Sequence, residues 1–151
     1  MRIDIGTEQL ILFEDMTRPN NIAIIGKAGS GKTHQVLEIA KQVNPCRVIV
    51  ISDHPEDYAC SLPNIEIHSI IDFMVDNSNA IIVFDSPMLV SYMHKHISNI
   101  SVNSRFRNSL LITLFDEDKV DSAIVMNCKY IIRTSTDTTA NGLRMWSVGV
   151  Y

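Results

Sequence analysis

Apolar residues along the 151-residue chain gather in nearly continuous runs, separated by stretches in which they recur every three or four positions. The runs "NIAIIG" from Asn21, "CRVIVIS" from Cys46, "AIIVFD" from Ala80, "SLLITLF" from Ser109 and "CKYIIRT" from Cys128 are rich in β-branched residues. They suit strands covered on both faces, as in parallel sheets. Between the first two, Val36, Leu37, Ile39, Ala40 and Val43 fall at helical spacing, which predicts a helix with one face on the sheet. Further along, "HPEDYACSLPN" reads as a short helix or loop ended by Pro63, "IEIHS" as a minor strand and "IIDFMVDN" as a short amphipathic helix. Another helix is predicted from Pro87 to about Ile97, and the polar, basic "SNISVNSRFRNS" reads as an exposed connection. "TSTDTTANG" reads as loop and "LRMWSVGVY" as an edge strand. Alternating strands and helices predict an α/β domain with a mainly parallel sheet flanked by helices. No repeat, low-complexity tract or linker divides residues 1–151, so a single domain is expected.

Composition changes this picture little. A chain of this length removes about two thirds of its unfolded surface from water, enough for a sizeable core. The hydrophobic fraction of 46% and charged fraction of 20% are ordinary for a globular protein, and no apolar run has the length of a membrane span or signal peptide. A soluble, intracellular protein is therefore expected. Cys46, Cys60 and Cys128 form an odd set without CxxC spacing, and read as reduced, mostly buried thiols. The formal net charge of −4 excludes a uniformly basic surface, so any nucleic-acid contact must be local or shared among subunits.

Candidate chemistry centres on "GKAGSGKT", Gly26, Lys27, Ala28, Gly29, Ser30, Gly31, Lys32 and Thr33, which follows a predicted strand and opens a predicted helix. The spacing GxxxxGK[ST] is that of a P-loop. Its glycines let backbone N–H groups turn around the α- and β-phosphates, and the helix N-terminus adds positive potential. Lys32 is expected to reach the β- and γ-phosphates of ATP, and the Thr33 hydroxyl to hold Mg²⁺. Downstream, Ile81 to Phe84 carry Asp85 to the end of a strand, where its carboxylate can orient a water on the same Mg²⁺. Ser86 and Pro87 follow, where many ATPases place a glutamate that activates the attacking water. The hydrolytic base is then expected elsewhere, or from a partner. His94 and His96 lie two apart and diverge on a helix, His34 reads as a helix-face residue and Trp146 as packing on the tail strand.

The segment "NSRFRNSLLITLFD", followed by "MNCKYIIRTS" and preceded in order by the P-loop and Asp85, resembles the genome-packaging ATPases of double-stranded DNA viruses within the FtsK–HerA superfamily. The likeness spans most of residues 20 to 135. It implies a RecA-like P-loop NTPase fold, ATP hydrolysis, a ring of subunits, translocation of double-stranded DNA and a capsid or membrane docking partner. It also implies a host-cytoplasmic or virion-associated location. Phe106 stands where that family has His, and Asp116 where it has Gln at the end of the fourth strand. Asp116 or its neighbour Glu117 can accept a proton and so replace the absent glutamate. Arg105 and Arg107 are implied as arginine fingers toward a neighbouring subunit's γ-phosphate. They precede the fourth strand and so lie at the end of the sheet away from their own nucleotide. Lys27 and "IIVFDSP" also resemble the MinD–ParA dimeric ATPases, although Ala28 replaces their second glycine. A small nucleotide kinase, with Arg105 and Arg107 clamping phosphates, is the remaining alternative.

Overall fold

The computed structural model describes residues 1–6, 8–14, 20–44, 47–59, 61–67, 78–85, 94–138 and 144–150. Its centre is a seven-stranded sheet of β3 (Asn21–Gly26), β4 (Arg47–Ser52), β5 (Ile65–Ile67), β6 (Ala80–Asp85), β7 (Leu110–Asp116), β8 (Tyr130–Thr138) and β9 (Arg144–Val150). In space the order is β5-β4-β6-β7-β3-β8-β9. Every pairing is parallel except that of β8 with β9. The central strands are buried along nearly their whole length, the reason their sequences are continuous apolar runs rather than alternations.

Alternate residues of each strand feed two cores. Ile22 and Ile24 of β3 face a cluster with Val36, Ile39 and Ala40 of α1 (Lys32–Val43). Ala23 and Ile25 face a second cluster with Ile97 and Ile100 of α2 (His94–Arg107) and Ile124 of α3 (Ser122–Met126). This period of two is what a pleated strand imposes, and each buried Ile or Leu contributes about 2 kcal/mol. The predicted face of α1 is the one that packs, with Leu37 and Val43 partly buried beside it. The helix ends at Asn44, whose left-handed φ of 49° lets its N–H return to the Ala40 carbonyl at 2.9 Å.

An N-terminal hairpin, β1 (Arg2–Ile5) with β2 (Glu8–Ile11), is not among the strands predicted from the hydrophobic pattern. Its inward residues Ile3, Ile5 and Leu10 join the α1 core. The Asp4 N–H donates to Gln42 Oε1 at 2.7 Å and Gln42 Nε2 returns a bond to the Asp4 carbonyl at 2.8 Å, fastening the hairpin to α1.

Two expectations are corrected. "SNISVNSRFRNS" is not an exposed connection but most of α2, which runs on to Arg107. Of the helix predicted from Pro87 to Ile97, residues 94–97 begin α2 and 87–93 lie outside the described residues, as does "IIDFMVDN". The error has a physical source: among the described side chains of α2, Ser101 and Ser104 are buried along with Ile97 and Ile100, so its inner face carries hydroxyls as well as apolar groups. "TSTDTTANG" is likewise not all loop, because β8 continues to Thr138 and pairs with β9 from Thr134↔Val148 to Thr138↔Arg144. Its β-branched threonines accept strand geometry once a partner strand is present. Of "LRMWSVGVY", Arg144–Val150 form the edge strand, β9. Among the described residues no helix is long and apolar enough to cross a membrane.

The serines of α2 belong to a buried polar junction at the entry of β3. Asn21 Nδ2 donates to Ser101 Oγ at 2.5 Å and to the Asn127 carbonyl at 2.8 Å, and its Oδ1 accepts from the Lys129 N–H at 2.8 Å. Ser104 Oγ accepts from the Asn20 N–H at 3.1 Å and donates to the Ser101 carbonyl at 2.9 Å. Replacing Asn21 by Ala strands several of these groups away from water, where each unmet group costs about 1–3 kcal/mol. Asn21→Ala is therefore expected to lower the unfolding free energy by about 2–4 kcal/mol in urea titrations.

Candidate nucleotide-binding site

The C-terminal ends of the parallel strands converge on one rim of the sheet, where ligands of open α/β folds bind. β3 ends at Gly26, and the chain turns through residues 27–31 into α1. The turn needs left-handed backbone at Gly29 (φ 75°) and Gly31 (φ 95°). Gly26 answers a different demand: a Cβ there would collide with the hydroxyls of Ser30 and Thr134. Those two hydroxyls are buried and 2.7 Å apart, tying the loop to β8. Among the described residues no side chain caps the N-terminus of the twelve-residue α1, so its first N–H groups and its dipole face the loop.

Lys32 leans back over this turn. Its Nζ donates to the Gly26 carbonyl at 2.7 Å and the Lys27 carbonyl at 3.2 Å, and lies 3.3 Å from Asp116 Oδ1. β7 brings Asp116 there, because the β3–β7 register sets Gly26 opposite Asp116. β6, on the other side of β7, delivers Asp85 to the same rim. Asp85 Oδ2 accepts a 2.6 Å hydrogen bond from the Tyr58 hydroxyl. Burial raises the Asp85 carboxyl above the ordinary carboxylate range, opposed by the Tyr58 hydrogen bond and the Lys32 charge. Burial and the adjacent carboxylate push the Tyr58 phenol well above its usual value, so it remains a donor at any physiological pH.

The resulting cleft, of about 560 Å³, is lined by Ala28, Gly29, Gly31, Lys32, Thr33, His34, Asp53, His54, Asp57, Asp85 and Asp116. Lys32, Thr33, Asp85 and Asp116 thus come together. Glu117 does not line this cleft: with Asp118, Lys119, Lys27 and Ala28 it lines a neighbouring one of about 530 Å³, which Asp116 also borders. Its carboxylate sits 4.0 Å from the Lys27 ammonium, both largely exposed. Arg105 and Arg107 close α2 at the opposite end of the strands, where the Arg107 carbonyl accepts from the Asn79 N–H just before β6. Ser86 lies outside the described residues.

Asp53, His54, Asp57 and Tyr58 are the lining and supporting residues that sequence reasoning missed. A signal existed, since a polar turn directly after a parallel strand falls on the binding rim whatever its own conformation. Here that turn includes the 3₁₀ segment Pro55–Asp57. Cys128, half-buried with its thiol pushed up to about 12 by burial, is a small packing residue, whereas Cys46 and Cys60 lie outside the described residues.

No family model and no curated protein sequence matches the chain. Solved structures do. The flagellar accessory protein FlaH from Methanocaldococcus jannaschii aligns over 99% of this chain and 86% of its own, with TM-score 0.61 and 14% identity. The RadB recombinase aligns over 87% and 81%, with TM-score 0.57 and 16% identity. EssC (ATPases 2 and 3) from Geobacillus thermodenitrificans aligns over 83% of this chain but 33% of its own, with TM-score 0.60 and 13% identity.

The fold is that of the RecA-like P-loop ATPases. Likeness at this identity bears on the fold alone and does not single out the viral packaging branch. The side chains on the rim suit such a fold's ligands. Magnesium prefers hard oxygen donors and takes few from protein when phosphates and water supply the rest. Thr33 and Asp85 supply a hydroxyl and a carboxylate on the same cleft.

Lys32→Ala removes the cation from this cleft while leaving the loop's glycines and the Ser30–Thr134 tie in place. ATP affinity is expected to fall by roughly 10–100-fold, as for loss of charge-assisted hydrogen bonds, with cooperative unfolding retained. Titration with a fluorescent ATP analogue and a thermal melt check both halves.

Proposed function

We propose that the protein is an ATP hydrolase working as an oligomeric motor that moves double-stranded DNA in viral genome packaging. One observation carries the hydrolase part: Lys32 and Thr33, Asp85, and Asp116, from three separate stretches of the sequence, line a single cleft at the N-terminus of α1. Loop N–H groups and Lys32 bind the β- and γ-phosphates, and Thr33 and Asp85 hold Mg²⁺, which neutralises phosphate charge as the γ-phosphoryl leaves. Asp116 accepts a proton from the attacking water, or orients it. Its neighbour Glu117, turned to Lys27, takes the lesser part in this reading.

The DNA-moving part rests on the resemblance carried by "NSRFRNSLLITLFD" and on the position of α2. Arg105 and Arg107 lie at the end of the sheet away from the subunit's own cleft, which suits presentation to the next subunit of a head-to-tail ring. The partners are then ATP, duplex DNA, further copies of the chain and a capsid or membrane docking protein. A second reading, a MinD/ParA-type dimer, draws on Lys27, whose side chain is 83% exposed at the lip of the loop, which suits a reach to a partner's nucleotide.

Turnover with and without duplex DNA, with product identification, tests the proposal. DNA-stimulated release of ADP and phosphate is the expected result, and transfer of the phosphoryl group to a nucleotide would replace the motor by a kinase. Asp116→Asn is expected to keep ATP binding and lose about a hundredfold in turnover, with Glu117→Gln changing it little.

The ring reading has its own test in subunit mixing. Arg105→Ala mixed with Lys32→Ala should regain part of the lost turnover, since each chain supplies what the other lacks. The same experiment with Arg107→Ala separates the two arginines, and turnover independent of protein concentration would rule out a shared site.

A further inference from the structure

We infer that Tyr58 is a positioning residue for Asp85, holding its carboxylate in the orientation that binds Mg²⁺ beside Thr33. The inference rests on the P-loop reading of the cleft and adds a residue outside its motifs. An aspartate carboxylate turns about a soft sp³–sp² torsion, so packing of its own chain does not fix which oxygen faces the cleft. At Asp85 one oxygen, Oδ2, is taken by the Tyr58 hydroxyl at 2.6 Å, within the short range of charge-assisted O–H···O⁻ bonds. Asp85 also lines the cleft, and among the described residues no hydrogen bond is recorded to its other oxygen. Thr33, the other side chain that would share the metal, lines the same cleft as Asp85.

The donor is itself immobilised. Tyr58 is fully buried, its ring part of the core cluster that includes Val48, Val50 and Ile81. Its backbone N–H closes the 3₁₀ turn on the Pro55 carbonyl at 3.1 Å. A planar ring clamped in the core places its hydroxyl with little freedom, and the only adjustable part of the pair is the carboxylate. Strand β4 leads directly into this turn and pairs with β6 in a register setting Ser52 opposite Asp85. The β4–β6 pairing brings the turn that carries Tyr58 to the end of β6, and the core packing of its ring fixes the rest.

The test is Tyr58→Phe, which keeps the ring and removes one oxygen. Binding of a fluorescent ATP analogue is titrated against Mg²⁺, and repeated in EDTA. The Mg²⁺ concentration for half-maximal binding is expected to rise roughly tenfold, with affinity in EDTA unchanged and cooperative thermal unfolding retained. In an Asp85→Asn background the same substitution should shift the Mg²⁺ requirement by less than about twofold, because Tyr58 acts through Asp85. An unchanged Mg²⁺ requirement in Tyr58→Phe overturns the inference. So does an equal loss of affinity with and without Mg²⁺, the mark of a packing role, or an effect that persists undiminished in Asp85→Asn. Nucleotide binding by the unaltered protein that ignores Mg²⁺ overturns the shared metal site as well. Mg²⁺-dependent binding by the unaltered protein with a silent Tyr58→Phe leaves that site standing and removes Tyr58 alone.

Discussion

The parallel pairing of β3 with β7 is the constraint on which the rest of the candidate site depends. Its register sets Gly26 opposite Asp116, so the glycine that opens the loop and the acid that ends β7 arrive at the same height on the sheet. A slip of one residue would send every apolar side chain of either strand to the wrong core. The two hydrophobic clusters therefore enforce the register, and the register places the chemistry. Lys32 reads that placement out, bridging the Gly26 carbonyl and the Asp116 carboxylate.

On this rim polar groups are arranged in tension. Loop N–H groups and Lys32 gather positive potential on one side, while Asp85 and Asp116, with Asp53 and Asp57 nearby, gather negative charge on the other. Each of two carboxylates has a specific donor: Tyr58 on Asp85 and Lys32 on Asp116. A phosphate chain carrying its own metal ion would meet both halves at once, the phosphates against the loop and the metal against the acids. The raised affinity of Asp85 for protons comes from a carboxylate taken partly out of water.

The opposite end of the sheet is built differently. There the polar atoms of Asn20, Asn21, Ser101 and Ser104 are buried and paired among themselves and with backbone groups. A junction that satisfies its own hydrogen bonds fixes helix to strand and leaves little for a ligand to take. The contrast between the ends is one of composition: polar groups satisfied internally at the entry of β3, and an uncapped helix start with a lysine and several aspartates at its exit.

Sequence by itself determined the elements whose chemistry is local. A parallel strand covered on both faces must be apolar along its length, so the five main strands were legible as runs. A turn this tight needs glycine where φ is positive, at Gly29 and Gly31, so the turn into α1 was legible from its glycines. Asp85 and Asp116 were legible because each ends such a run. Tertiary structure decided what depends on a partner. α2 hides its buried face behind Ser101 and Ser104, which count as polar until Asn20 and Asn21 satisfy them. The N-terminal hairpin is too short to announce itself, and its strands become necessary only as a cover for α1. Tyr58 is an ordinary buried aromatic in sequence. Only the pairing of β4 with β6 brings its hydroxyl to Asp85, because hydrogen bonds between distant residues follow from the order of strands in a sheet, and that order is a property of the folded chain.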